Sequence, residues 1–156
     1  MPYSKHPNAE KRRKSAIVAI KAILSPDLDL DPKHRYEFLG LALGKLTEAE
    51  GTSKYKTRFQ SEQARAQRKN LRHDHVFRKK MMIESMIQNR DEVDRIAARA
   101  VGCTITKEEH GDLDKIDREF AIDGWDRYAR AGIVVLDMET GQQADLTMLA
   151  AAPINL

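Results

Sequence analysis

Cysteine is nearly absent. The single one, Cys103, excludes an internal disulfide, and the chain reads as one from a reducing, cytoplasmic compartment. Eight glycines and five prolines are too few for a collagen-like or low-complexity chain. Long apolar runs are missing as well. The most apolar stretch near the N-terminus, residues 15–24, is far shorter than the roughly 20 residues a membrane span needs. It follows a basic segment, 11–14, and so superficially resembles a secretory signal. No small-residue cleavage site comes after it; Pro26, Asp27, Asp29 and Asp31 do. No membrane partner is expected. Gly-rich phosphate loops, GxSxG and HExxH are also lacking.

What remains is a chain of 156 residues, 41% apolar and 33% charged, the balance of a globular protein with a wet surface. That length predicts one domain over residues 1–156 with a sizeable core. Its net charge of +3 hides a strong asymmetry. Residues 52–80 hold ten basic and two acidic side chains, whereas residues 103–156 hold five and eleven. Lys54, Lys56, Arg58, Arg65, Arg68, Lys69, Arg72, Arg78, Lys79 and Lys80 form the basic middle. Such a concentration is the electrostatic footprint of a phosphate-backbone binder, and nucleic acid is the expected partner. Tyr55 and Phe59 are interleaved and available for base stacking. Two competing explanations are a solvated basic face and a homodimer or larger complex in which basic middle meets acidic tail.

Apolar spacing predicts an α+β fold, mostly helical. Residues 8–24 read as helix, with Ile17, Ile20 and Leu24 on one face, ended by Ser25-Pro26. Asp31-Pro32 starts a second helix as N-cap and first-turn proline. Tyr36, Leu39, Leu43 and Leu46 form its stripe, and Gly51 is its expected stop. The two are expected to pack as an N-terminal helical hairpin over residues 1–51. Arm, strand and helix remain open for the basic segment, 52–72. A strand or extended turn is expected at 71–76 and a helix at 78–88 with Met82, Ile83, Met86 and Ile87 inside. A second helix is expected at 91–101, with Val93, Ile96, Ala97 and Ala100 inside, and a short strand at 103–105. Thr106 to Glu109 spells a capping box, so a helix starts at Lys107 with His110 in its first turn. Residues 125–131 give a short helix. Residues 133–138 and 142–146 give a C-terminal β-hairpin, with Trp125 and Tyr128 packing beside it. The apolar tail after Thr147 is expected to be loose.

Two places carry potential chemistry: His73-Asp74-His75 on the expected strand, and His110 on the capped helix. Cys103, in a β-branched strand context, reads as a buried small hydrophobe rather than a nucleophile. The ordered pattern of Asp74-His75-Val76, then 103–109, then His110 resembles the HNH or ββα-metal endonucleases over about a quarter of the chain. The resemblance implies a small ββα-metal-like centre within 73–120 and metal-dependent cleavage of DNA or RNA. It implies His75 as general base, Asp74 and His110 as ligands of a divalent ion (Mg, Mn, Ni or Zn), and Arg72 or Arg78 as phosphate clamp. A histidine suits the base role because its ordinary pKa lies near 6.5. The same resemblance suits mobile-element or phage-defence biology.

The chain departs from the family pattern in the two helices expected between its halves, the missing middle Asn and the missing paired Cys-x-x-Cys knuckles. On a regular strand Asp74 and His75 face opposite ways, so they meet at one ion only if the strand ends or bulges there. Otherwise His73 with His75 is the more natural ligand pair, with Asp74 orienting one imidazole. A noncatalytic module for nucleic acid or protein, on a degenerate scaffold of this kind, is the alternative.

Overall fold

The computed structural model describes residues 3–152. The first two helices, α1 (Ala9–Leu24) and α2 (Pro32–Thr47), form the expected hairpin. Asp31 caps α2 by accepting from the backbone N–H of Lys33 and His34, and Pro32 takes the first helical position. Arg12, near the start of α1, donates to the carbonyls of Ala49 and Gly51 beyond the end of α2. Arg35, near the start of α2, donates to Ile23 at the end of α1. The helices are therefore antiparallel. Gly51 does not stop α2, which ends at Thr47; it bridges to Lys5 instead.

The undecided basic segment holds β1 (Phe59–Ser61) and α3 (Glu62–Gln67), the latter capped by the Ser61 hydroxyl. Next come β2 (Leu71–His75), α4 (Lys79–Gln88), a single 3-10 turn (Arg90–Glu92) and α5 (Val93–Ala97). The helix expected at 91–101 is thus shortened, and Val101 already accepts from the N–H of Val76 beside the sheet. The C-terminal half holds β3 (Gly102–Thr106), α6 (Lys107–Glu119), α7 (Trp125–Ala131), β4 (Val135–Asp137) and β5 (Gln142–Gln143). The tail is not loose over its described part: Asp145 caps a last helix, α8 (Leu146–Ala151). Residues 153–156 lie outside the described ones.

The five strands make one sheet in the order β2-β3-β1-β4-β5, with β1 and β3 parallel and the other neighbours antiparallel. β2 is an edge strand. β2, β3 and α6 together make a ββα unit, with α4 and α5 inserted between its strands.

Two apolar clusters organise the molecule. Ile20, Leu24, Leu39, Leu43, Ile83 and Met86 centre the first, among α1, α2, α4 and α5. Phe59, Cys103, Ile105, Leu113, Trp125 and Tyr128 centre the second, between the sheet and α6 and α7. Ile87, expected inside, is exposed, as is Met81. Phe77 packs against both clusters and joins them. Its ring lies over Gly124, where an added Cβ would stand 2.6 Å from Phe77 Cε1. Gly124 also has φ +68° and ψ −148°, a region glycine alone enters readily. Both constraints act on one residue at the start of α7. Gly124→Ala is therefore expected to lower stability by about 1–3 kcal/mol, read from urea unfolding. An unchanged midpoint would contradict this account of the junction.

Candidate functional site

β2 places three of the singled-out residues in succession, and its register settles where each points. It pairs with β3 along its whole length, Leu71 opposite Thr106 and His75 opposite Gly102. The Val76 N–H to Val101 bond carries the pairing past His75. The strand neither ends nor bulges at Asp74, so alternate side chains leave opposite faces. Asp74 turns toward α6 and α7, and His73 and His75 turn the other way. The expected convergence of Asp74 and His75 on one ion is not what the register produces.

On the first face, Asp74 is buried. Its Oδ2 accepts from the Tyr128 hydroxyl at 2.6 Å and from Arg127 Nη1 at 3.4 Å. Burial pushes the carboxyl upward, with Arg127 and Tyr128 opposing that shift. Arg127 forms a two-pronged pair with Asp117 of α6, at 2.6 and 2.9 Å, and donates to the carbonyls of His75 and Val76. His110 stands at the surface end of this network. Its Nε2 is 4.0 Å from Asp74 Oδ1 and its Nδ1 is 3.5 Å from Asp114, with 38% of its side chain exposed. The capping box holds it there. Thr106 Oγ1 accepts from the Glu109 N–H, and the buried Glu109 carboxylate accepts from the Thr106 N–H and the Ser61 hydroxyl. Asp74 and His110 thus approach each other at the edge of this network, His110 half on the surface. Cys103 is fully buried on β3 beside them, and burial pushes its thiol well above the ordinary range.

On the second face, His73 is fully engaged. Its Nδ1 lies 3.0 Å from the Lys54 carbonyl, which can only accept, so Nδ1 carries the proton. Nε2 lies 3.0 Å from the Thr47 hydroxyl, whose single proton is shared between this nitrogen and the Gly44 carbonyl. The ring lies against Gly102, where a Cβ would collide with it. The His73 and His75 rings meet edge to face at 5.6 Å. Because both His73 nitrogens are committed, the alternative ligand pair His73–His75 has only one member free. Burial first, then the charges of His73, Lys79 and Lys54, lowers the His75 pKa to about 4. Its Nδ1 is buried with no partner among the described residues. His75 is neutral at pH 7, but it is a weaker base than the ordinary imidazole that the sequence suggested.

Among the described residues, no three or more His, Cys, Asp or Glu side chains gather as a metal cluster. Asp74 Oδ1 and His110 Nε2 are the only two expected donors that approach each other, and Asp74 Oδ2 is already taken.

The cations divide into committed and unpaired. Arg58 pairs with Asp137 and Glu139, Arg78 contacts Asp123, and Lys80 contacts Glu84. Lys54, Lys56, Arg65, Arg68, Lys69, Arg72 and Lys79 form no ion pair among the described residues. Arg65, Arg68, Lys69 and Arg72 follow one another through the end of α3 and a tight turn into β2. Arg68 and Asn70 hold left-handed backbone there, with φ of 54° and 51°. The Lys107 N–H donates to the Asn70 carbonyl, which brings a fifth exposed cation to the same turn. The sequence did not single out Lys107, Thr47, Asp117 or Arg127. Nothing in a single sequence separates the buried Arg127 from the exposed Arg130 three positions on.

No protein-family model, no curated protein and no solved structure matches the chain.

His75 sets a pH dependence. Its pKa is near 6.5 when unfolded and about 4 when folded, so the unfolded chain binds the extra proton. The stability its neutral form contributes is complete above about pH 6.5 and is lost as the pH falls toward 4, up to about 3 kcal/mol. Urea unfolding at pH 7.5 and 4.5 checks this. His75→Asn is expected to flatten the acid loss, and an equal loss in variant and wild type would contradict it.

Proposed function

We propose that this protein binds the phosphate backbone of nucleic acid along the free edge of β2. One observation carries the proposal: five exposed cations, Arg65, Arg68, Lys69, Arg72 and Lys107, meet at the α3–β2 turn without internal counter-ions. Lys54 and Lys79 extend the positive field along the strand, since both act on His75. Phosphate contacts of this kind supply affinity and a strong salt dependence but little sequence preference.

A second reading, phosphodiester cleavage as the HNH resemblance implies, is favoured by the approach of His110 to Asp74 on the ββα unit. In this arrangement His110, not His75, is the imidazole next to Asp74. Single-turnover assays on labelled DNA and RNA with Mg, Mn, Ni or Zn test it. Cleavage lost in His110→Ala and kept in His75→Ala would support it. Binding without cleavage under every ion would leave the noncatalytic reading.

For binding itself, five neutralised phosphates give a slope of log K against log salt of about −4 on duplex DNA. Arg68→Glu, Lys69→Glu and Arg72→Glu together are expected to weaken binding at least tenfold at low salt and to flatten that slope. Unchanged affinity with an intact fold would remove the proposal and favour the homodimer.

A further inference from the structure

The N-terminal hairpin, which meets β2 where Thr47 contacts His73, carries much of the exposed apolar surface of the described residues. Leu41 is 70% exposed, Val18 59% and Phe38 43%. Between α1 and α2 runs an open groove of about 530 Å³. Ala16, Ala19 and Ala42 line it, small residues that let another backbone approach closely. Outside the lining on the α2 side, Phe38 and Leu41 each stand one helical turn before a lining residue, four positions before Ala42 and Lys45 respectively.

Charge at the groove has one sign. Lys11, Arg12, Lys45 and His6 line it, and no carboxylate does among the described residues. The half-buried Arg12 has no ionic partner among the described residues. Both of its hydrogen bonds leave from Nη1 toward backbone carbonyls, so Nη2 and Nε remain available. Lys45 holds only Glu48, at 3.6 Å and largely exposed, a contact that a stronger partner can displace. An apolar floor with an uncompensated guanidinium selects against a bare polyanion, which needs cations without a dry floor. It selects for a ligand that is apolar on one face and acidic beside it.

The backbone of that ligand is constrained too. The groove runs between two helices whose backbone N–H and C=O groups are already bonded within each helix, so it offers no ladder to an extended peptide. A helix satisfies its own backbone. From Asn8 to Ala19 the groove follows α1 for eleven residues, roughly 16 Å, or about three helical turns.

We propose that the α1–α2 groove docks an acidic amphipathic helix of a partner protein, about three turns long. The helix sets its apolar stripe on the alanines and its carboxylates against Arg12, Lys11 and Lys45. The protein would then join nucleic acid on one side to a protein on the other, although the docking site does not depend on the nucleic-acid reading.

Fluorescence anisotropy with three labelled synthetic peptides tests this on the full chain. One carries leucines at i, i+3, i+4 and i+7 flanked by glutamates. The second has lysines for glutamates, and the third has the acidic composition in scrambled order. Saturable binding of the first peptide alone is expected. It should weaken at least tenfold in Ala19→Arg, an exposed position, and in the double variant Lys11→Glu with Lys45→Glu. Circular dichroism should not change in either variant, nor should the nucleic-acid affinity in Ala19→Arg. First and scrambled peptides binding alike, or Ala19→Arg having no effect, would overturn the proposal. So would displacement of the peptide by single-stranded DNA or by anionic vesicles, or a solution dimer of this chain that Ala19→Arg dissociates.

Discussion

A buried guanidinium ties β2 to α6 and α7 in this molecule. Arg127 is 3% exposed, and from α7 it reaches both α6 and β2. It pairs with Asp117 on α6, contacts Asp74 on β2, and satisfies the carbonyls of His75 and Val76 where the strand ends. A charge in such a position is tolerated only because each donor finds an acceptor. Two carboxylates and two carbonyls share one cation, so its loss would leave buried acceptors and a buried negative charge, at a cost of about 3–5 kcal/mol. α6, and with it His110, is fixed relative to β2 by this contact as well as by the capping box.

The same strand separates two environments. Asp74 faces the Arg127 network and draws His110 to its outer edge. His73 and His75 leave the opposite face, where His73 meets Thr47 at the end of α2 and where partial burial and neighbouring positive charge favour the neutral form of both imidazoles. The period of two along a strand decides this, and it splits the adjacent Asp74 and His75 that the HNH resemblance joins. The unpaired cations sit at the turn that enters the strand, so positive charge is presented beside both faces. The binding proposal rests on that placement. The cleavage reading rests on Asp74 and His110 alone.

Much of the fold was legible because its signals are local. Asp31-Pro32 and the Thr106–Glu109 box name helix starts through side-chain chemistry that needs no tertiary partner. The apolar stripe Leu39, Leu43 and Leu46 names a buried face. Elements that depend on distant partners were not legible. β1 is three residues long and exists because β3 and β4 flank it. The last helix is six residues, and only its Asp145 cap marks it. At the site, the order Asp74, ββα, His110 could be read, and so could the bulk positive charge. Which cations are free could not, because Asp137, Glu139 and Asp123 lie far along the chain from Arg58 and Arg78. Lys107 reaches the turn only through the β2–β3 register.

The central claim is that nucleic acid meets this protein at the β2 edge. A heteronuclear NMR titration of the full chain with short DNA and RNA, single- and double-stranded, tests it most directly. The account predicts amide shift changes concentrated at residues 65–72 and at Lys107, fading as salt is raised. Changes confined to the α1–α2 hairpin, or none at low salt, would contradict it.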